Sequence, residues 1–380
     1  MVLGFEYKSS QIFAFFISLS LFPIVSLILS KSLSTFCIVL MPVAVSNPFA
    51  VQSYQVAIYS HAQDIPQFAL DSLRYHPVKS NTILPLLEKR MNQPPSNNGG
   101  EVWVVVHTGL DVKFIASVTC GAMGNYPLFI FTPIPYSYLH PSAISSPVYL
   151  LAQTLLRSVH RSRIYSVFAP QVVAEVFAEV WSSLTNIGVV QKPYYHAMIS
   201  YVTNETLTLR NISSIQGAHC ELRPATLSDT NAVAELCFLF ASDSEPFLLD
   251  REGAMYEART LIQSGQCWVY TVTRPYEPTK IACLVAYTRN TNVAATITKV
   301  VTHHQFRSQG CAEKLVGRVC LHLLATKRYV SLFVGITNRA ANVYRKVGFI
   351  GVGEGAQPVQ DIDPYIELGF DRKYVQLGHW

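Results

Sequence analysis

The two halves of the chain repeat one pattern of short apolar runs and helical stretches, and this repeat constrains the fold more than any other feature. When the first half is shifted by 165 positions, EVWVVVHT at 101–108 falls on QCWVYTVT at 266–273. At the same offset, IYSVFAP at 164–170 falls on YVSLFVG at 329–335. A constant offset across separate strands is typical of an internal duplication. We therefore predict two lobes of one α/β architecture, joined by the polar, turn-rich segment 204–218.

Composition narrows the class of protein. The 380 residues are long enough for two lobes, and half of them are hydrophobic. Only 14% are charged, against roughly 25% in an average protein, and the net charge is +5. This balance argues against a disordered chain and against a nucleic-acid partner held by phosphate contacts. The eight cysteines include no close pair, so we expect reduced core thiols, with neither a metal site nor a disulfide framework.

The amino end is apolar and allows two interpretations. Residues 9–30 contain no charged side chain, and a membrane span needs about 20 apolar residues. Under one interpretation this segment crosses a membrane once, or associates with it. Under the other, translation begins at Met41 and the protein is cytoplasmic. The predicted division is therefore an apolar segment at 1–40, a first lobe at 41–216 and a second lobe at 217–380.

The second lobe contains a loop suited to binding a phosphate group. The apolar strand that ends near Thr302 is followed by RSQGCA at 307–312 and then by a helix with one apolar face. The first backbone NH groups of a helix have no partner within it, and together with the helix dipole they favour a pyrophosphate. Gly310 lets the backbone approach such a ligand, and Arg307 adds a positive charge. By spacing alone, an ordinary strand-to-helix turn is the better explanation.

A second junction, GITNRAANVYRKVGF at 335–349, follows the next strand. Asn338 is a good helix cap, and Gly348 can end the helix in the left-handed conformation. Together the two junctions resemble the GNAT superfamily of acyl-CoA-dependent N-acyltransferases. The first motif of that family is matched by Arg307, Gly310 and Ala312, with Ser308 where glycine is common. The later motif is matched by Asn338, Ala341, Tyr344, Gly348 and Phe349.

The resemblance implies a fold and an activity. The fold class is α/β (α+β) with tandem lobes, each a mixed and mostly antiparallel sheet with flanking helices and a splayed central parallel pair. The activity is transfer of an acetyl group from the co-substrate acetyl-CoA to a small-molecule amine or a peptide amine, by direct attack in a ternary complex. The alternative is a non-catalytic CoA-binding or interaction protein on the same fold. The implied cofactor-binding residues are Val300, Val301, Thr302, Arg307, Ser308, Gln309, Gly310, Cys311, Ala312, Asn338 and Tyr344.

The resemblance assigns the general acid and leaves the general base without a residue. Tyr344 matches the family's general acid for the leaving thiolate, although a tyrosine packed beside the cofactor explains the same residue. Many relatives carry a glutamate on the fourth strand, whereas TITKVVT at 296–302 has no carboxylate. The general base is therefore unassigned. Asp243, Glu245 and Asp250 are candidates, although solvated loop charges explain these carboxylates better. His303 and His304 are further candidates, because either could titrate near neutral pH.

Two further inferences follow from the family pattern. Cys311 lies in the phosphate loop, but a thiol without a nearby base is a weak nucleophile and the family forms no acyl-enzyme. In the first half, the 165 offset places SAISSP at 142–147 where RSQGCA lies, without arginine or glycine, and places Glu179 where Tyr344 lies. We expect the first lobe to bind no cofactor, and either to pack against the catalytic lobe or to shape the acceptor cleft.

Overall fold

The computed structural model describes residues 53–93 and 100–379, so the predictions for residues 1–40 lie outside the described part of the chain. The described residues form fourteen strands and eight α-helices. The strands are β1 Gln55–Tyr59, β2 Val102–Thr108, β3 Asp111–Val118, β4 Cys120–Gly121, β5 Gly124–Asn125, β6 Leu128–Phe131, β7 Ser166–Pro170, β8 Tyr195–Val202, β9 His219–Pro224, β10 Cys267–Thr273, β11 Lys280–Thr288, β12 Ala294–Thr302, β13 Tyr329–Gly335 and β14 Pro364–Gly369. The helices are α1 Gln67–Tyr75, α2 Leu84–Met91, α3 Pro141–Ser158, α4 Gln171–Thr185, α5 Thr230–Ser242, α6 Arg251–Gln263, α7 Cys311–Leu324 and α8 Ala341–Val347.

Twelve strands join into one continuous sheet in the order β1-β2-β3-β6-β7-β14-β8-β13-β12-β11-β10-β9, and β4 pairs with β5 in a separate hairpin. The pairs β6·β7 and β12·β13 are parallel, and the other pairs in the described sheet are antiparallel. Each half thus contributes six strands, and the first five of each half follow in the same order from opposite edges of the sheet, with the parallel pair at the same place. The predicted fold class, tandem lobes with mostly antiparallel strands and flanking helices, is confirmed.

The two halves exchange their last strands. The strand β8 of the first half pairs with β13 of the second, and β14 of the second half pairs with β7 of the first. The exchange is tied by a buried polar contact, because the Ser166 hydroxyl donates to Glu367 Oε1 at 2.7 Å and neither side chain is exposed. One sheet therefore runs through both lobes, rather than two sheets packed side by side.

Helices cover both faces of this sheet. The apolar faces of α3 and α4 pack on the first half, and those of α7 and α8 pack on the same face of the second half. On the opposite face, α1 and α2 cover the first half and α5 and α6 cover the second. Strands covered on both faces are apolar throughout, which explains why β2, β10 and β13 lack an alternating pattern.

The helix ends follow the sequence signals. Gly310 precedes α7 with φ 74°, and Gly348 ends α8 with φ 107°, a left-handed conformation that favours glycine. Thr226 and Asp229 form a reciprocal capping box before α5. Within residues 53–93 and 100–379, no helix is both long and apolar enough to cross a membrane.

Candidate functional site

A cleft opens where β12 and β13 separate. Their parallel pairing begins at Ala294 and Tyr329 and ends at Ile297 and Leu332. At the same point the register between β11 and β12 shifts by one residue, which leaves Thr298 without a partner on β11. Such a bulge bends a strand and turns the following side chains to the opposite face. The bulge therefore explains why the two strands diverge here.

The backbone beyond the bulge points into this cleft at alternate residues. The His303 backbone NH donates to the Ala282 carbonyl at 2.9 Å, so the strand bonds to β11 at this residue. Because amides alternate along a strand, the backbone groups of Val300 and Thr302 face away from β11, toward the cleft. Those of Val301 face β11 instead. The structure thus brings two of the three predicted strand residues to the cleft through their backbones.

The predicted phosphate loop lies between β12 and α7. Ser308 and Gly310 both adopt left-handed conformations, with φ 60° and 74°, and α7 begins at Cys311. The Gln309 side chain donates to the Gln305 carbonyl at 3.0 Å, and Arg307 Nε donates to the Thr302 carbonyl at 3.3 Å. The loop is therefore curled over the end of β12, at the mouth of the cleft.

Gly310 also has a packing role. A Cβ atom at this position would lie 2.8 Å from Ile212 Cγ2, because the segment 203–218 runs along α7. Arg210 of that segment pairs with Glu313 at 3.2 Å. Glycine is thus required here both by the backbone conformation and by the neighbouring segment.

Tyr344 lies on the α7 and α8 side of the sheet, in the core below the cleft. Its side chain is 9% exposed and its ring packs against Phe349, with centroids 5.8 Å apart. Burial raises the pKa of the Tyr344 hydroxyl above its usual range, with smaller contributions from Tyr195 and Cys283. This hydroxyl keeps its proton at neutral pH, so it can act as a proton donor and not as a base.

The surroundings of Cys311 and Asn338, one from each motif, fit structural roles. The Cys311 side chain is 2% exposed, and burial raises the pKa of its thiol, which disfavours the reactive thiolate. Asn338 Oδ1 accepts from the Ala340 backbone NH at 2.9 Å, so this side chain caps the turn that leads into α8. Cys311 lies at the first junction and Asn338 at the second. The two side chains do not form a pair of catalytic nucleophile and base.

The opposite face of the cleft holds an ion pair that the sequence analysis missed. Lys299, the first residue after the bulge, is 8% exposed and points toward α5 and α6. Its Nζ donates to both carboxylate oxygens of Glu257 at 2.7 and 2.6 Å, and lies 4.7 Å from the centre of the Phe240 ring. A single charged residue in the otherwise apolar run of β12 was the signal for a buried partner.

Two of the predicted base candidates have other roles. Asp250 Oδ1 accepts from the Gly253 backbone NH at 2.7 Å and caps α6. His303 Nδ1 accepts from the Gln305 backbone NH at 3.4 Å, in the turn before the phosphate loop. Burial, followed by the neighbouring His304, lowers the pKa of His303.

The first half offers no comparable phosphate loop among its described residues. The helix α3 begins at Pro141, so residues 142–147 lie inside its first turns. The first half nevertheless reaches the cleft of the second half, because the Tyr195 hydroxyl on β8 donates to the Phe333 carbonyl at 3.1 Å. Phe333 is the first residue of β13 beyond the paired segment. One wall of the cleft therefore comes from the first half.

Comparisons with known proteins bear on the fold. No protein-family model matches the chain, and no curated protein matches it. Among solved structures, a Drosophila protein superposes with a TM-score of 0.52 at 12% identity, covering 80% of this chain and 97% of that one. A tandem GNAT protein from the clavulanic acid biosynthesis pathway gives 0.45 at 11% identity, covering 83% and 98%. A GCN5-related N-acetyltransferase from Sphaerobacter thermophilus gives 0.46 at 12% identity, covering 82% and 94%.

These identities concern the fold alone. At that level, the two lobes with their mixed, mostly antiparallel sheet agree with the solved structure that superposes with a TM-score of 0.52.

Proposed function

We propose that the chain is an N-acetyltransferase that moves an acetyl group from acetyl-CoA to an amine by direct attack. The observation that supports this most is the cleft between β12 and β13, which opens at Ile297 and Leu332 directly beside the loop 307–312. A cleft lined by free backbone groups suits an extended amide-containing chain, and a helix start suits a pyrophosphate. Acetyl-CoA carries both features in one molecule.

The second lobe binds the cofactor in this proposal. The backbone groups of Val300 and Thr302 hydrogen-bond the pantetheine arm. Arg307 leaves the Thr302 carbonyl to pair with the pyrophosphate, which the backbone NH groups of the loop also contact. The remaining proposed contacts, within the loop and at its neighbours, are Val301, Ser308, Gln309, Gly310, Cys311, Ala312, Asn338 and Tyr344.

The reaction joins the amine nitrogen to the thioester carbon and breaks the carbon–sulfur bond. A backbone NH of β12 stabilises the oxygen that becomes negative in the tetrahedral intermediate. Tyr344, whose hydroxyl carries a proton at neutral pH, donates to the leaving thiolate from the α7 and α8 side. The amine approaches from the face that carries Lys299 and Glu257. Acid and acceptor thus act from opposite faces of the same cleft.

The first lobe, proposed at 41–216, binds no cofactor and helps to form the acceptor side of the second lobe at 217–380. Its contribution is supported by the contact between Tyr195 and Phe333 at the cleft. The acceptor is a small-molecule amine or a peptide amine.

Two measurements test this function. Acetyl-CoA should raise the melting temperature of the chain by mass action, and one of a panel of primary amines should then release CoA. CoA is best quantified by chromatography, because the half-buried thiols of Cys120 and Cys220 would react with a thiol reagent. Binding without CoA release, for every amine, would instead support a non-catalytic CoA-binding protein.

Arg307→Ala should weaken acetyl-CoA binding about ten-fold, since a hydrogen bond to a charged group contributes about 1.5 kcal/mol. Arg274→Ala, in the exposed loop between β10 and β11, is the matched control and should bind normally. Equal affinities of the two variants would refute the assignment of the phosphate loop.

A further inference from the structure

The C-terminal tail of the second half is held against the hairpin β4–β5 of the first half. The His379 backbone NH donates to the Asn125 carbonyl at 2.9 Å, and the Gln376 NH donates to the Ser162 carbonyl at 2.9 Å. Contact is close at Gly378, where a Cβ atom would lie 2.0 Å from the Asn125 oxygen. The position of the last described residues is therefore defined by backbone contacts with the other half.

These contacts bring the His379 side chain to the acceptor side of the cleft. Its ring lies 6.3 Å from that of Phe247, in the loop between α5 and α6. The hairpin that holds His379 also reaches α6, since Met123 Cε lies 4.0 Å from the Cβ position of Gly253. Gly253 is one helical turn before Glu257, on the same face of α6. The hairpin thus bonds to the His379 backbone and lies beside the first turn of α6, the helix that carries Glu257.

The His379 imidazole is suited to accept a proton. Burial lowers its pKa below the ordinary value, Glu257 acts in the opposite direction, and Lys299 lowers it further. The imidazole is therefore neutral at neutral pH. The residue is partly exposed, so a substrate can approach the ring.

Glu257 is less suited to be the base itself. Both of its oxygens already accept from the Lys299 ammonium at 2.7 and 2.6 Å. A carboxylate held in this way can instead stabilise a positive charge that forms on a neighbouring imidazole, as a third group does for a catalytic histidine.

We propose that His379 is the general base that takes the proton from the acceptor amine, with Glu257 as a positioning residue that Lys299 holds in place. The inference rests on the proposed function. An acceptor that arrives as an ammonium gives one proton to His379, and the free amine then forms the nitrogen–carbon bond. The electron pair of the broken carbon–sulfur bond stays on the thiolate, which Tyr344 protonates. The amide nitrogen loses its second proton to the tyrosine oxygen through solvent, and His379 releases its proton to water.

The direct test is rescue of a histidine variant by free imidazole. In the full chain, His379→Ala should lower the rate of CoA release about 10²-fold at saturating acetyl-CoA, with the acceptor chosen from the amine panel. The shift in melting temperature that acetyl-CoA causes should not change. Added imidazole should restore part of the rate. His219→Ala, on the exposed edge strand β9, is the control and should neither lose activity nor respond to imidazole.

The pH profile separates a chemical role from a structural one. The titratable groups that act on this imidazole are Glu257 on α6 and Lys299 on β12. The wild-type rate should fall at acidic pH as His379 becomes protonated. Glu257→Gln should move this acidic limb to lower pH, because Glu257 raises the pKa of His379. A loss of packing alone would lower the rate equally at every pH.

The outcomes are distinct. A wild-type chain that releases CoA, together with a fully active His379→Ala variant, overturns the inference and leaves the proposed function intact. An inactive His379→Ala variant whose rate imidazole does not restore also overturns it. So does a Glu257→Gln variant whose acidic limb stays at the wild-type position. A wild-type chain that releases no CoA with any amine overturns the proposed function, and the inference with it.

Discussion

The buried ion pair between Lys299 and Glu257 makes a quantitative prediction about stability. The two side chains are 10% and 18% exposed, and the ammonium contacts both carboxylate oxygens. Removing one partner of a buried pair typically costs 3–5 kcal/mol, because the other charge stays buried without compensation. Water reaches the carboxylate in part, so we expect about 3 kcal/mol for Lys299→Met. Glu257→Gln should cost about 2 kcal/mol, since the amide keeps one hydrogen bond to the ammonium.

The two effects should not add. In the double variant neither charge remains, so the total loss should be about 2 kcal/mol and the coupling about 3 kcal/mol. At roughly 2 °C per kcal/mol for a chain of this size, Lys299→Met should melt about 6 °C lower, and the double variant should recover part of that loss. Thermal and urea unfolding of the four proteins measure the cycle.

An exposed pair provides the matched control. Lys280 and Glu277 lie 3.0 Å apart with exposures of 47% and 42%, and the same two substitutions there should show no measurable coupling. Additive losses at Lys299 and Glu257, like those of the control, would refute the reasoning that burial makes this pair interdependent.

Three further substitutions give simple outcomes. Tyr344→Phe should keep acetyl-CoA affinity and lower turnover about 10²-fold, whereas equal turnover at every pH would remove the acid role. Ser308→Gly should stabilise the chain by about 0.5–1 kcal/mol in urea unfolding, because it relieves a left-handed conformation with φ 60°; an unchanged midpoint would mean that the serine is not strained there. Gly348→Ala should cost more than about 1 kcal/mol, since its Cβ would lie 2.0 Å from the Thr206 carbonyl oxygen; wild-type stability would contradict this packing.

Much of the second lobe could be predicted from local patterns. The strand β13, the apolar face of α7 and the end of α8 at Gly348 lie where the sequence indicates. These features depend on side-chain spacing and on the conformational freedom of glycine, so a few neighbouring residues determine them. The duplication could also be predicted, because each first-half strand of the twelve-stranded sheet has its counterpart near the 165 offset.

The features that escaped prediction depend on contacts between distant residues. The exchange of β8 and β14 is one, because an apolar strand does not encode which neighbour it will pair with. The pair Lys299 and Glu257 is another, since its members are 42 positions apart and lie on different elements. The position of His379 depends on a hairpin of the other half. The proposed acceptor side of the cleft is formed by such contacts, so the sequence alone did not predict it.

The central claim is that the second lobe alone binds acetyl-CoA, at the cleft between β12 and β13 and at the loop that follows. Hydrogen exchange of the full chain with and without CoA tests it directly. We expect slower exchange in residues 298–312 when CoA is present, and unchanged exchange in residues 128–147, which include their counterpart in the first half. Protection confined to 128–147, or none in 298–312 at a saturating concentration, would contradict the account.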